Sequence, residues 1–249
     1  MTRLLLLVLI ACAAHAEPLT IGETFTLRSA ILGEERRINV YAPPSAAGPL
    51  PVLYMPDGGL GEDFLHVAGL VQVLTGNGTM RPFLLVGIEN TERRRDLTGP
   101  TAVADDRKIA PRVGGSAKFR AFLRDELMPE IAKRHRVTSE RAIVGESLAG
   151  LFVVETLLLE PELFDTYIAF DPSLWWNGGK LVDVKPRAAT KKTLFLATSE
   201  EKELAAMVKR LAAALRKTMR VRYEPMPQEK HSTIYHPAAL RAFRAVLAK

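Results

Sequence analysis

Short apolar runs that each end in a loop, alternating with segments of helical period, constrain this 249-residue chain more than any other feature. The runs are "VLYMPDGG", "FLLVGIEN", "AIVGES", "YIAFDPS", "TLFLATSEE" and "VRYEPMP". Among the helical patterns, "SAKFRAFLRDELMPEIAKRH" and "KELAAMVKRLAAALRK" are the clearest, with apolar residues at spacings of three and four. Parallel strands need crossover connections, and those crossovers cover both sides of a sheet, so this alternation predicts an α/β fold: a mostly parallel central sheet with helices on both faces. The earlier segments "ETFTLRSAIL" and "ERRINVYAP", separated by Gly33-Glu34, alternate by twos and predict an antiparallel N-terminal hairpin. The closing "PAALRAFRAVLAK" predicts a helix starting at Pro237 and packing on the sheet.

The length suits one sizeable core, so residues 17–249 are read as a single domain. Residues 1–16 read as a secretory signal peptide: Arg3 supplies the cationic start, Leu4 to Ala14 the apolar run, and Ala14-His15-Ala16 the cleavage signal. Cleavage after Ala16 predicts a periplasmic or secreted protein. A second reading takes Leu9-Ile10-Ala11-Cys12 as a lipoprotein signal, with acylated Cys12 anchoring the chain to a membrane. The leader is shorter than the roughly 20 apolar residues that span a bilayer, and no transmembrane helix is expected. Cys12 is the only cysteine, so the mature chain has no intramolecular disulfide. The net charge of +6 comes from basic residues interleaved with acids, without zinc spacing, an RNA-binding signature or a basic arm. Neither a nucleic-acid partner nor a metal or organic cofactor is expected. Arg93-Arg94-Arg95 is a local exception.

In "AIVGESLAGLFVVETLLL" an apolar strand turns into a helix at Ser147, flanked by Gly145 and Gly150. This is the context of a nucleophile elbow, a sharp bend that leaves a hydroxyl exposed above a sheet. The fifth position of the usual G-x-S-x-G pattern is Ala149 here. A hydroxyl needs a base, and in hydrolases of this sheet type the chain order is serine, acid, histidine. His15 lies in the leader, while His66 and His135 precede the serine. Of the two that follow, His231 lies in the loop "MPQEKHST" and His236 directly precedes Pro237, so His231 is the expected base. "TLFLATSEEKE" offers Glu200, Glu201 and Glu203 as acids, and strand alternation does not separate them. Two backbone N–H groups are expected to receive an oxyanion: Leu148 at the helix start and Gly59 in "YMPDGGLGED".

Taken together, "VLYMPDGG", "VGIENTERRRDLT", "GGSAKFRAFLRDELMPEI", "GESLAGLF", "PELFDTYIAFDPSLWWN" and "EKHSTIYHPAAL" resemble the putative-esterase family of α/β-hydrolases, which includes enterochelin esterases and S-formylglutathione hydrolase. The resemblance is strongest to the exported enterochelin esterase-like branch and spans nearly the whole mature chain. It implies an α/β-hydrolase fold, Ser147 as nucleophile, His231 as base and Glu201 as the acid, or no acid at all, since some siderophore esterases of this fold work without a third member; Asp171, which follows a strand end, is the reserve candidate. Glu146 stands where the family commonly has histidine, and Asp171 where serine is frequent. Within "NTERRRDLT", Arg93 is either a substrate-binding cation that meets an anionic ester or half of a loop-fixing ion pair with Asp96. Trp175 and Trp176 are both candidates for the substrate pocket, one as core and the other as its wall.

The expected activity is that of an exported serine esterase cleaving a small-molecule carboxylic ester through an acyl-enzyme, with a siderophore ester as the leading substrate. An acetyl or feruloyl esterase acting on carbohydrate, or a periplasmic binding protein that keeps the hydrolase shell, are the other readings, since fold does not fix substrate.

Overall fold

The computed structural model describes residues 16–44, 48–184 and 191–248; nearly all of the leader, with the lipoprotein cysteine, falls outside the described residues. Strands β1 (Glu23–Ser29) and β2 (Glu34–Tyr41) form the expected antiparallel hairpin, in register from Glu23 opposite Val40 to Ser29 opposite Glu34. Gly33 turns the chain between them with φ 74°, a left-handed conformation that glycine adopts without a Cβ penalty. The remaining strands are β3 (Leu50–Pro56), β4 (Leu84–Ile88), β5 (Val137–Glu146), β6 (Thr166–Phe170), β7 (Thr193–Thr198) and β8 (Arg220–Pro225). They complete an eight-stranded sheet in the order β1-β2-β4-β3-β5-β6-β7-β8. Only the β1/β2 and β2/β4 pairings are antiparallel. The parallel strands therefore all deliver their carboxyl ends to one edge of the sheet, where ligands bind in open α/β folds.

Among the described residues seven α-helices punctuate the strands: α1 (Phe64–Gly76), α2 (Arg93–Leu97), α3 (Ser116–Phe122), α4 (Met128–Arg134), α5 (Leu148–Leu159), α6 (Lys202–Leu215) and α7 (Tyr235–Val246). Period-two alternation divides the strand side chains between two cores. Val52 and Tyr54 of β3, Ile143 of β5, and Leu194 and Leu196 of β7 pack with α3 to α6. Leu53 and Met55, Ala142 and Val144, and Phe195 and Ala197 pack with α1 and α7. Truncating any one of the buried leucines to alanine costs about 2–5 kcal/mol on the experience of other cores.

Two expectations about helices need adjustment. The long helical pattern from Ser116 is split into α3 and α4 by a π turn at Leu123–Leu127. Pro129 lies just beyond it at the start of α4. Proline offers no N–H to the carbonyl of Asp125, so the hydrogen-bond ladder is rewired around it. The last helix begins at Tyr235 rather than Pro237, which leaves the proline in the first turn, where its missing N–H costs nothing. Among the described residues no helix is long and apolar enough to cross a membrane.

Candidate active site

Ser147 occupies the bend between β5 and α5 with φ 59° and ψ −120°, a conformation that costs a non-glycine residue about 1–3 kcal/mol. The surroundings hold it there. Its N–H donates to the Phe170 carbonyl at 3.0 Å, and its own carbonyl accepts from Leu151 at 2.9 Å and Ser173 at 3.0 Å. A Cβ on Gly145 would sit 2.6 Å from the Ala149 backbone, so glycine is obligatory before the bend. The methyl of Ala149 is accommodated because the close crossing falls one residue later. At Gly150 a Cβ would come within 3.0 Å of the Phe170 carbonyl and of Pro172.

His231 reaches the serine from the loop between β8 and α7. That loop is tied to the end of β7 by hydrogen bonds from Met226 N–H to the Thr198 carbonyl, 2.7 Å, and from Glu200 N–H to the Glu229 carbonyl, 3.0 Å. The imidazole Nε2 lies 3.1 Å from Ser147 Oγ, and Nδ1 lies 3.1 Å from Asp171 Oδ2. Asp171 follows β6 in a turn with φ 38° and is wholly buried. Its Oδ1 accepts the Ser199 N–H at 2.7 Å, and its own N–H donates to the Ala197 carbonyl at 2.9 Å. Burial works against ionisation of this carboxyl, but the hydrogen bonds from His231 and Ser199 outweigh it and hold Asp171 below the usual range. The same contact with Asp171, reinforced by the field of Glu146 and opposed by desolvation, raises His231 above the usual value.

The structure thus joins Ser147, His231 and Asp171, and Glu201 is not among them. Glu200, Glu201 and Glu203 are all exposed, and Glu201 is the residue preceding α6, acting on His231 only through space. The positive-φ turn after β6 aims Asp171 inward, whereas the helix start after β7 carries the glutamates toward solvent. Only the strand-end position of Asp171 signalled it in the sequence.

The other expected residues divide. Leu148, first in α5, has no intrahelical acceptor for its N–H, as at every helix start. The Gly59 N–H, in contrast, donates to Glu62 Oε2 at 2.7 Å and is not a free donor here. Arg93 does not pair with Asp96: it donates two hydrogen bonds, each 2.8 Å, to the carboxylate of Asp57. Asp57, itself at φ 58°, also accepts from Asn90 at 2.5 Å, and Asn90 in turn holds Glu62 at 2.8 Å. Asp96 instead binds Arg36 and Arg95, each at 2.6 Å. Trp176 is buried in the core and donates its indole N–H to the Gly99 carbonyl at 2.9 Å, whereas Trp175 is 47% exposed.

Two features stand out that the sequence reading left without a role. Glu146, adjacent to the serine, has Oε1 3.2 Å from His231 Nε2. Desolvation, partly offset by His231 and Arg93, pushes its carboxyl up to about 7. Beside Arg93 opens a cleft of about 540 Å³, lined by Glu92, Arg93, Arg94, Arg95 and Arg112 with Ala110 and Pro111. Arg95 is neutralised by Glu34 and Asp96, and Arg112 meets Glu92. Arg94 is exposed and, among the described residues, pairs with no carboxylate. Among the described residues no group of three or more His, Cys, Asp or Glu side chains is arranged to hold a metal ion.

A mostly parallel sheet with a serine elbow at its carboxyl edge, a histidine from the loop after the last strand and helices on both faces is the α/β-hydrolase fold. The profile of the Putative esterase family matches residues 29–232, and the chain belongs to that family. It is 37% identical over 152 residues to the ferri-bacillibactin esterase BesA of Bacillus subtilis, covering 54% of this chain and 51% of the relative. It is 32% identical over 140 residues to the siderophore triacetylfusarinine C esterase of Aspergillus fumigatus, covering 52% and 46%. The match therefore spans about half the length of these curated relatives. The crystal structure of an IroE-like serine hydrolase from Shewanella oneidensis superposes with a TM-score of 0.79 at 26% identity, over 91% of this chain and 80% of that one.

Proposed function

We propose that the protein is an exported serine esterase that cleaves anionic siderophore-type esters through an acyl-enzyme. The observation that carries the chemistry is the hydrogen-bonded line from Ser147 Oγ through both nitrogens of His231 to buried Asp171. Neutral His231 accepts the Ser147 proton as Oγ bonds to the ester carbonyl carbon, and Asp171 stabilises the imidazolium and fixes its tautomer. The oxyanion is received by the Leu148 N–H, joined by Gly59 only when Glu62 gives way. Collapse expels the alcohol with the proton from His231. Water, deprotonated by the same imidazole, then releases the acid and restores Ser147.

The substrate class is supported by the arginine cleft and by two relatives whose names are those of siderophore esterases. A ferric tricatecholate ester is large, aromatic and anionic. It has use for the charge of Arg94 and the exposed ring of Trp175, which a neutral acetylated sugar does not share. Export rests on the leader of residues 1–16. A soluble mature chain beginning at Glu17 is the expected mass, and a diacylglycerol adduct on Cys12 would replace that reading by a membrane anchor.

The test is labelling with a fluorophosphonate followed by an ester panel. A single adduct on Ser147 and preference for a catecholate ester are expected. Labelling elsewhere, or unchanged hydrolysis by Ser147→Ala, overturns the mechanism, while faster turnover of acetyl-xylan fragments overturns the substrate class.

A further inference from the structure

The imidazole of His231 has a carboxylate at each nitrogen. Asp171 lies on Nδ1, and Glu146 Oε1 lies 3.2 Å from Nε2, the same atom that stands 3.1 Å from Ser147 Oγ. Two acceptors therefore converge on one N–H. The Glu146 side chain is only 16% exposed, and its Oε1, although within ion-pair distance of His231, is buried without a hydrogen bond of good geometry. A carboxylate so placed is relieved of its desolvation cost either by a proton or by a facing cation. Arg93, the other nearby cation, already gives its two hydrogen bonds to Asp57. Tyr235 of α7, whose hydroxyl is also buried and unpartnered, is neutral, and Asp171 and Asp57 oppose a charge on Glu146. Among the described residues, the imidazolium of His231 is thus the cation that meets Glu146 at contact distance, while Arg93 acts on it only through space.

We propose that Glu146 is a positioning residue that competes with Ser147 for Nε2 of His231: charged, it holds the imidazolium as an ion pair, and neutral, it leaves the nitrogen lone pair to the serine. The proposal rests on His231 being the general base. With one proton shared between the two groups, the pair has two forms of equal charge. Imidazolium facing carboxylate cannot accept the Ser147 proton. Imidazole beside the carboxylic acid can, because Glu146 Oε1 makes no hydrogen bond to Nε2 and so leaves the lone pair to Ser147, 3.1 Å away. Removing the shared proton leaves imidazole beside carboxylate, again competent. The carboxyl of Glu146 and the imidazole, which also feels Glu201, are both raised, so the step that pH controls is loss of the shared proton and not the exchange itself. The acid limb of kcat/KM is then a property of the pair, spread over two macroscopic steps.

The test compares wild type with Glu146→Gln and Glu146→Asp by the pH profile of kcat/KM on a neutral ester, and by the nitrogen resonances of His231 in protein labelled at the imidazole. Loss of the facing charge in Glu146→Gln is expected to lower the His231 midpoint by about one pH unit and to turn a two-step acid limb into a single step. Activity near pH 6 should rise several-fold relative to wild type. Glu146→Asp, which keeps the charge on a shorter arm, should return the midpoint toward wild type. An unchanged His231 midpoint in Glu146→Gln, or a loss that is equal at every pH, overturns the proposal. If Glu146→Gln does not fold, the wild-type protein decides: the Glu146 carboxyl carbon and His231 must report the same two steps, and independent titration overturns the coupling. The resonance titration needs no substrate, so failure of the esterase assignment, read by fluorophosphonate labelling, is distinguished from failure of this one.

Discussion

The reacting centre and the arginine cleft lie side by side, joined by Arg93, yet they are built on opposite physical terms. In the centre, Ser147, Asp171 and Asp57 are non-glycine residues at positive φ, held by backbone hydrogen bonds at the carboxyl ends of the strands. Charges there are buried and answered by specific partners: Asp171 by His231 and Ser199, Asp57 by Arg93 and Asn90. In the cleft, Arg94 and Arg112 stand in solvent on short loop and helix segments. Position matters in the first region to within an ångström, because proton transfer does. In the second, charge acts over several ångströms and is screened by salt. On the proposed function the contrast separates chemistry from selection, and its bidentate bond to buried Asp57 groups Arg93, which lines the cleft, with the centre.

The sharpest way to break that division is at the centre itself. Ser147→Ala is expected to lower kcat by roughly 10⁴-fold or more, and Asp171→Asn by 10²- to 10⁴-fold, each without loss of folded protein by thermal melt. Next comes Arg93→Ala, which leaves the Asp57 carboxylate buried without its bidentate partner. It should reduce turnover of neutral and anionic esters alike, by about tenfold, and lower the melting temperature. A selective rise in KM for the anionic ester alone would return Arg93 to the cleft. Arg94→Glu should do what Arg93→Ala does not: raise KM for the anionic ester by roughly three- to tenfold at low salt and leave p-nitrophenyl acetate unchanged. Added salt should erase most of that difference.

The same division explains what was readable from the sequence. Strand and helix alternation is a property of successive side chains, so the parallel sheet, the N-terminal hairpin and both helical faces were legible. Ser147 came from a local motif and His231 from chain order. Asp171 was visible only as a residue after a strand, in competition with three glutamates after the next one. What separates them is the φ 38° turn at Asp171, which aims one carboxyl inward, and no periodicity encodes such a turn. Trp175 and Trp176 are chain neighbours in an irregular turn, where nothing in the pattern decides which ring enters the core. The exchange of Asp96 for Asp57 as the partner of Arg93 depends on loops meeting in space, whereas the hold of Glu62 on the Gly59 N–H is made within one loop, three residues apart, by a side chain whose direction no pattern encodes.

Glu201→Gln is the mildest of these tests and the one that presses hardest on the geometry. Glu201 is exposed at the start of α6 and influences His231 only as a distant negative charge. Its removal should change kcat/KM by less than about twofold at the optimum, because Glu201 is exposed to solvent, is the last of the influences on His231 and makes no contact with it, and salt weakens such a through-space effect. The sign is fixed: a negative charge favours imidazolium, so its loss should move the acid limb slightly to lower pH, and salt should remove the movement. Glu200→Gln and Glu203→Gln are the controls and should do no more. If Glu201→Gln instead matched Asp171→Asn, the imidazole would have to turn from the buried carboxylate to the exposed one during turnover. Asp171 would then be the buried brace of a loop, and the boundary between centre and surface would run through His231 itself.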